Sequence, residues 1–336
     1  ALLIAESTKT AVFELRRPGL GLLATSRAEL GESFGLIGGF AYALIHYCLL
    51  VAYSSQGGAA LSQLIGLDSE EAIVAFVLIF GTAVALGSEK FVQVLNSFLV
   101  FIVGSSFFAV CLLAWPQVSL DRLLALPKDW SAAFAAIPIC ILALVYHNIV
   151  PLIVTQFQGD RSKISLSLTI GSALPLTMFF VWIGIVLAAV PPTVITSGQD
   201  PVNALESTLD GPTADTLAFT VAVFKLSAVA TSFFGFYFGL RTFLLDVLER
   251  SSDDVDQMTD IFVSGIILIP PAFAALVLGD GVFLSALDFA GTFGIPILFG
   301  IFPAAIVLSQ RQRQRQEEIA IIRKDSVLSF SQFLPG

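Results

Sequence analysis

The stretch that decides the fold is "LALVYHNIVPLIVTQF", residues 142–157. An apolar run is interrupted at its centre by Tyr146, His147 and Asn148, and three residues later by Pro151. A histidine and an asparagine side by side at bilayer depth are costly unless they face protein, water or ligand. Pro151 has no N–H and its ring clashes with the carbonyl four residues back, that of His147. Backbone is therefore freed at the same place where polar side chains are offered. Unsatisfied backbone at membrane depth is tolerated only against protein or beside a cavity. Secondary transporters place such discontinuous helices at the midplane, where they hold substrate. A plain proline kink, with His147 satisfied by a neighbouring helix, is the alternative that this motif by itself leaves open.

The membrane premise comes from composition. Of 336 residues, 56% are hydrophobic and 13% charged, with a mean hydropathy of +0.88. A soluble chain has about a quarter of its residues charged. Apolar blocks recur that are long enough to cross about 30 Å of hydrocarbon. Spans are expected near 33–57, 70–87, 91–115, 132–157, 164–190, 214–245, 259–278 and 282–308. The period-2 alternation of membrane barrels is absent. The expected fold is an all-α polytopic membrane protein. Cys48, Cys111 and Cys140 sit inside apolar runs and give neither a disulfide framework nor a metal spacing. No cofactor, metal or nucleic-acid partner is expected.

The first residues, "ALLIAES", read as the tail of a helix already under way, and the last, "SQFLPG", stop in a loop. The chain is thus expected to be one transmembrane transporter domain, 1–336, truncated at both ends with its first and last spans missing. On this reading residues 1–15 end a truncated span, 33–308 hold eight spans, and 309–336 form a cytoplasmic linker toward a missing span. Alternating spans place fourteen of the seventeen basic residues on one side, including Lys9, Arg27, Lys90, Arg161, Arg311 and Arg313. Only Arg122 and Lys128 fall on the other, and Lys225 lies inside a span. That bias makes the first side cytoplasmic or its organellar equivalent. The expected location is a bacterial inner membrane or a plastid or other organellar membrane.

Two further polar clusters lie in spans. "VAYSSQGGAAL", 51–61, carries Tyr53, Ser54, Ser55 and Gln56 before a glycine pair. "KLSAVATSFFGFYFGL", 225–240, carries Ser227, Thr231 and Ser232, followed by Phe233 and further aromatics. Hydroxyls suit an ion or a carboxylate, and aromatic rings wall a pocket for a flat side chain. Packing of helix on helix is the competing role for both clusters.

The run "AIPICILALVYHNIVPLIVTQFQGDRSKISLSLTIGSALPLTMFFVW" resembles the signature region of the tryptophan/tyrosine permease family, the aromatic amino-acid transporters. "LLIAE", "AYSSQGGAAL", "LNSFLVF", "ATSFFGFYFGL" and "PPAFAAL" match in order and spacing over nearly the whole chain. The resemblance implies the amino-acid/polyamine transporter architecture, two inverted five-helix repeats with the first helix of each broken. Residues 132–157 then open the second repeat. It also implies a proton-coupled symporter. Asn148 and Lys225 depart from the family's bacterial pattern, which leaves the substrate and the coupling ion open.

The expected function is secondary active transport of an aromatic or related neutral amino acid by alternating access. Partners are that substrate, a co-transported proton and the lipid bilayer. Substrate contacts are expected from Tyr146, His147, Asn148, Tyr53, Ser54, Gln56, Thr231, Ser232 and Phe233. Coupling candidates are His147, Lys225, Asp288 and Glu6. Intramembrane charges tend to pair, so Lys225 and Asp288 are expected to interact. His147 titrates nearest neutrality in its unperturbed form, and His46 is expected to be a packed histidine. A membrane-embedded enzyme using His147 is the alternative, but no paired-His motif, nucleophile elbow or phosphate loop supports it. A passive channel lacks a filter repeat or pore stripe.

Overall fold

A computed structural model describes residues 1–14, 22–124, 134–195, 201–209, 211–248, 255–279 and 281–331. Among these residues all regular structure is helical. The longer helices are α1 (Leu2–Lys9), α2 (Leu22–Leu30), α3 (Glu32–Ile65), α4 (Ser69–Leu86) and α5 (Glu89–Ala114). Short α6 (Leu120–Leu124) and α7 (Ile137–Ala143) follow, then α8 (Val150–Gln156) and the long α9 (Arg161–Ala189). Short α10 (Pro192–Ile195) and α11 (Pro201–Glu206) precede α12 (Pro212–Val247), α13 (Gln257–Leu278), α14 (Val282–Phe289) and α15 (Phe302–Ser331).

Seven helices among the described residues are long and apolar enough to cross a membrane. They are Glu32–Ile65, Ser69–Leu86, Glu89–Gln117, Arg161–Ala189, Pro212–Val247, Gln257–Leu278 and Val282–Glu317. Each coincides with an expected span. The eighth, 132–157, does not form a continuous helix; its described part splits into α7 and α8. Many large apolar side chains point outward: Phe98, Phe101, Phe108 and Leu112 on α5 are all more than half exposed. So are Ile269, Phe273 and Val277 on α13. Apolar surface on that scale marks a lipid or partner contact. With the seven helices, it makes the chain a multi-pass integral membrane protein.

The chain forms two compact units. The first comprises Ala1–Tyr42, Leu144–Ala173 and Phe293–Gly336, and the second Ala43–Ala143 and Leu174–Thr292. In the second unit α12 packs against α4, α5, α11 and α13, and α13 packs against α4. Leu50, Phe76, Val92, Phe233, Tyr237, Leu240 and Ile267 form its principal core. Gly57 and Gly58 let α3 approach α4 closely: a Cβ at Gly57 would run into the Phe76 ring, and one at Gly58 into Ile73. Small residues serve this purpose between membrane helices. Polar caps fix the helix starts. Ser88 accepts from the Phe91 N–H at 3.3 Å, and Asp256 from the Thr259 N–H at 3.1 Å.

In the first unit α1 packs against α8, α15 and α2, and α15 packs against α2. Ile4, Ala5, Val150, Val154, Ile164 and Leu168 form one buried cluster. Polar contacts join the ends of the chain. Arg313 pairs with Glu29 at 3.0 Å, and the buried Gln310 amide donates to the Ser7 carbonyl at 3.3 Å.

Two features of the chain's second half add to the expected spans. The stretch 290–301 is wound as π-helix, Ala290–Gly294 and Pro296–Ile301, instead of a regular α-helix. Gly291 accompanies this by close approach, since a Cβ there would meet the Pro138 carbonyl. Residues 309–331, expected as a linker, continue α15 as helix to Ser331. The stretch "QRQRQRQEEIAIIRK" holds strong helix formers and no glycine or proline, so nothing in it stops the helix.

Candidate functional site

The break is built from backbone first. α7 ends at Ala143 and α8 begins at Val150. Between them Leu144–Tyr146 are non-helical, with Tyr146 at φ −132° and ψ 19°, and His147–Ile149 make one 3-10 turn. The Ile149 N–H donates to the Tyr146 carbonyl at 3.2 Å. Pro151 falls in the first turn of α8. There its missing N–H removes no internal helix bond and its fixed φ suits the helix start. The proline therefore does not kink a continuous helix, the alternative that the sequence left open. It begins a new one.

Three rings are arranged along this break. Tyr146 and His147 stack with centroids 5.6 Å apart and planes 24° from parallel. On its other contact His147 stacks against Phe299, at 4.8 Å and 22°. Phe299 comes from the π-helical stretch, and Tyr146 and Phe299 both rest on the buried Ile4–Leu168 cluster. Nδ1 of His147 is buried and has no hydrogen-bond partner among the described residues. A buried polar atom left unpaired costs about 1–3 kcal/mol, so this nitrogen, amid aromatic faces, is disposed to take a hydrogen bond. The Asn148 side chain lies outside the described residues. Phe299 was not anticipated: one phenylalanine among 30 in the sequence carries no signal of its own.

The remaining expected contacts belong to the second unit. Tyr53 meets the Phe236 ring at 5.6 Å and 52°, and the Ser232 hydroxyl lies beside the Tyr53 phenol. The buried His46 packs on the other contact of Phe236, at 5.0 Å. Ser232 and Thr231 both donate to the Ala228 carbonyl at 2.9 Å, and buried Ser54 donates to the Leu50 carbonyl at 2.7 Å. These hydroxyls satisfy themselves within their own helices. Phe233 is 1% exposed and meets Phe76 edge-on at 5.4 Å, which makes it a core side chain. Gln56 is partly buried, next to Gly57.

The charged candidates separate. Among the described residues no ion pair joins Lys225 to Asp288. Lys225 is partly buried on α12, while Asp288 is exposed on α14. The reason is that α14 packs against α7, whereas α12 packs against α4, α5, α11 and α13. Glu6 is engaged elsewhere: Arg311 donates to its Oε1 through Nε at 2.9 Å and Nη2 at 2.6 Å. Arg241 pairs with Asp260 at 2.7 Å, with both side chains mostly covered.

Comparison with known proteins adds to this geometry. Residues 1–330 match the model of the tryptophan/tyrosine permease family. The tyrosine-specific transport system 1 of Haemophilus influenzae is 27% identical over 307 residues, covering 87% of this chain and 72% of that protein. The tryptophan-specific transport protein of Pseudomonas aeruginosa is 26% identical over 310 residues, 88% of this chain and 73% of its own length. The low affinity tryptophan permease of Escherichia coli is 24% identical over 301 residues, 84% and 71% of the two chains. These relatives are named as transport proteins and not as enzymes.

Proposed function

The chain belongs to the tryptophan/tyrosine permease family, and we propose on that premise that it carries an aromatic or related neutral amino acid across the membrane. Transport runs by alternating access, as proton-coupled symport, in a single domain of two inverted five-helix repeats. The observation that carries this reading is the break at Tyr146–Ile149, where the polypeptide leaves helical winding and presents a stack of rings. Such a stack offers a flat face to an aromatic side chain, and the unpaired Nδ1 of His147 offers a hydrogen-bonding position beside it. Discontinuous helices in transporters supply the same two things, freed backbone and polar groups at midplane depth.

On this proposal Tyr146 and His147 contact substrate, and the backbone at Asn148 takes part. His147 is the first choice for proton coupling. Glu6, held by Arg311, ranks below it. Lys225 and Asp288 remain candidates as separate charges.

Uptake of labelled tryptophan and tyrosine into proteoliposomes, with and without an inward proton gradient, is the test. Saturable uptake accelerated by the gradient is expected, and the His147→Ala protein is expected to lose most of it while still eluting as a folded species. Undiminished uptake by that variant removes the break from the substrate path. Uptake indifferent to the gradient removes proton coupling.

A further inference from the structure

The apolar cluster that supports Tyr146 also floors a cleft in the first unit, about 390 Å³ in volume. Its polar walls are Glu6, Lys9, Thr10, Arg161, Ser165 and Arg311. Three cations thus face one carboxylate. Glu6 is already taken by Arg311, which donates to it twice. Lys9 and Arg161 have no carboxylate partner among the described residues, and Lys9 is partly buried. Two cations without a carboxylate partner line the same cleft as the third, and an anion between them would offset their mutual repulsion.

The chemistry of the walls narrows the anion. A guanidinium, an ammonium and two hydroxyls approach from different elements, α1 with its π-wound extension at Thr10, and the start of α9. Donors spread in this way suit an ion with several oxygens, and arginine forks and lysine ammonium groups are the usual partners of phosphate. The volume lies within the range of small-ligand sites, about 300–1,000 Å³. Lys9, Arg161 and Arg311 all belong to the lysine- and arginine-rich side of the chain, where basic pockets between membrane helices hold anionic headgroups.

We propose that this cleft binds a phosphate-bearing anion, either the headgroup of an anionic lipid or free phosphate. The proposal does not rest on what the chain transports.

The test uses the purified chain in nanodiscs and follows its unfolding midpoint. Three preparations are compared: phosphatidylcholine alone, phosphatidylcholine doped with phosphatidylglycerol, and phosphatidylcholine with added inorganic phosphate. The midpoint is expected to rise in at least one of the last two. A rise with phosphatidylglycerol alone assigns the lipid headgroup, and a rise with inorganic phosphate assigns the free anion. Replacing Lys9→Gln and Arg161→Gln together is expected to weaken the response by about twenty-five-fold in apparent affinity, about five-fold for each basic residue. The Lys9→Arg and Arg161→Lys exchanges are expected to keep it. Should the double variant fail to fold, Arg161→Gln alone, at an exposed position, provides the comparison. A midpoint that neither phosphate source moves overturns the proposal. So does a response that survives removal of the charges, or one that chloride at equal ionic strength reproduces.

Discussion

The imidazole of His147 lies face to face with the ring of Phe299, centroids 4.8 Å apart and planes 22° from parallel. The two residues are 152 positions apart in sequence, one on a 3-10 turn and the other in a π-helical stretch. Neither conformation is the regular α-helix that apolar content alone favours. Short π segments inside helices occur frequently at functional sites, and here one such segment presents the ring that completes the stack.

The first prediction concerns that ring. Aromatic pairs contribute about 0.5–1.5 kcal/mol beyond the area they bury. Phe299→Ala is therefore expected to raise the apparent KM for tryptophan uptake by about two- to ten-fold, while Phe299→Tyr stays near the wild-type value. Saturation curves in proteoliposomes measure both. An unchanged KM in the alanine variant excludes Phe299 from the site.

Tyr237 and Ser264 share a buried hydrogen bond of 2.6 Å between α12 and α13. Tyr237→Phe leaves the serine hydroxyl without this partner and is expected to cost about 1–3 kcal/mol. Adding Ser264→Ala removes the orphan, so the double variant is expected to cost less than the two single changes together. A double-mutant cycle of thermal unfolding in detergent measures the coupling. Simple additivity would mean that the bond contributes nothing.

Gly57 faces the Phe76 ring with no space for a methyl group. Gly57→Ala is expected to destabilise the fold by about 1–3 kcal/mol through overpacking. Gly104, which a Cβ would leave in open space, is the matched control: Gly104→Ala in α5 should be neutral or stabilising by helix propensity. Unfolding midpoints of the two variants are compared. Equal effects would show that the α3–α4 approach is not tight.

Asp160 caps α9 outside the membrane-spanning segments. Its carboxylate accepts from the Lys163 and Ser162 N–H groups at 3.2 and 3.0 Å. The bond from the Lys163 backbone is the largest cause that holds its pKa below the usual carboxylate value; desolvation opposes it, and the Ser162 bond and the Lys163 charge add to the lowering. A folded pKa below the unfolded one stabilises the native state fully above the unfolded value. That contribution is lost as pH falls through the folded value. Stability is thus expected to decline on acidification in the wild type. In Asp160→Asn the decline should be shallower, because asparagine caps without titrating. Unfolding midpoints across an acid series decide it, and superimposable pH curves would exclude the cap as a contributor.

Much of this architecture was legible from residues alone. Apolar blocks located the seven long helices to within a few residues at most ends, because bilayer thickness fixes helix length whatever the details of packing. Tyr146–Pro151 located the break, because adjacent His and Asn side chains are costly against lipid and the proline suits the start of a new helix. Two ends overrun: the last span continues past 308 to Glu317, and α3 runs to Ile65 past the glycine pair, where close contact with α4 outweighs glycine's poor helix propensity. What stayed hidden depends on rotation about helix axes. Lys225 and Asp288 looked like partners by depth, yet their helices pack against different neighbours. Glu6 and Arg311 pair across 305 positions, and nothing local to either residue announces it. The π winding at 290–301 is equally silent, since its sequence reads as an ordinary apolar span.

The turn at Phe157–Asp160 ties the broken segment to the helix that follows it. Gln158 and Gly159 both adopt left-handed conformations, φ 50° and 74°, and reverse the chain between α8 and α9 within four residues. A glutamine held there costs about 1–2 kcal/mol, so the elbow is set by its surroundings and is not a loose leash. With so little slack, a shift of the short segment after the break along its axis must tug the first turn of Arg161–Ala189 with it. The two would travel as one lever.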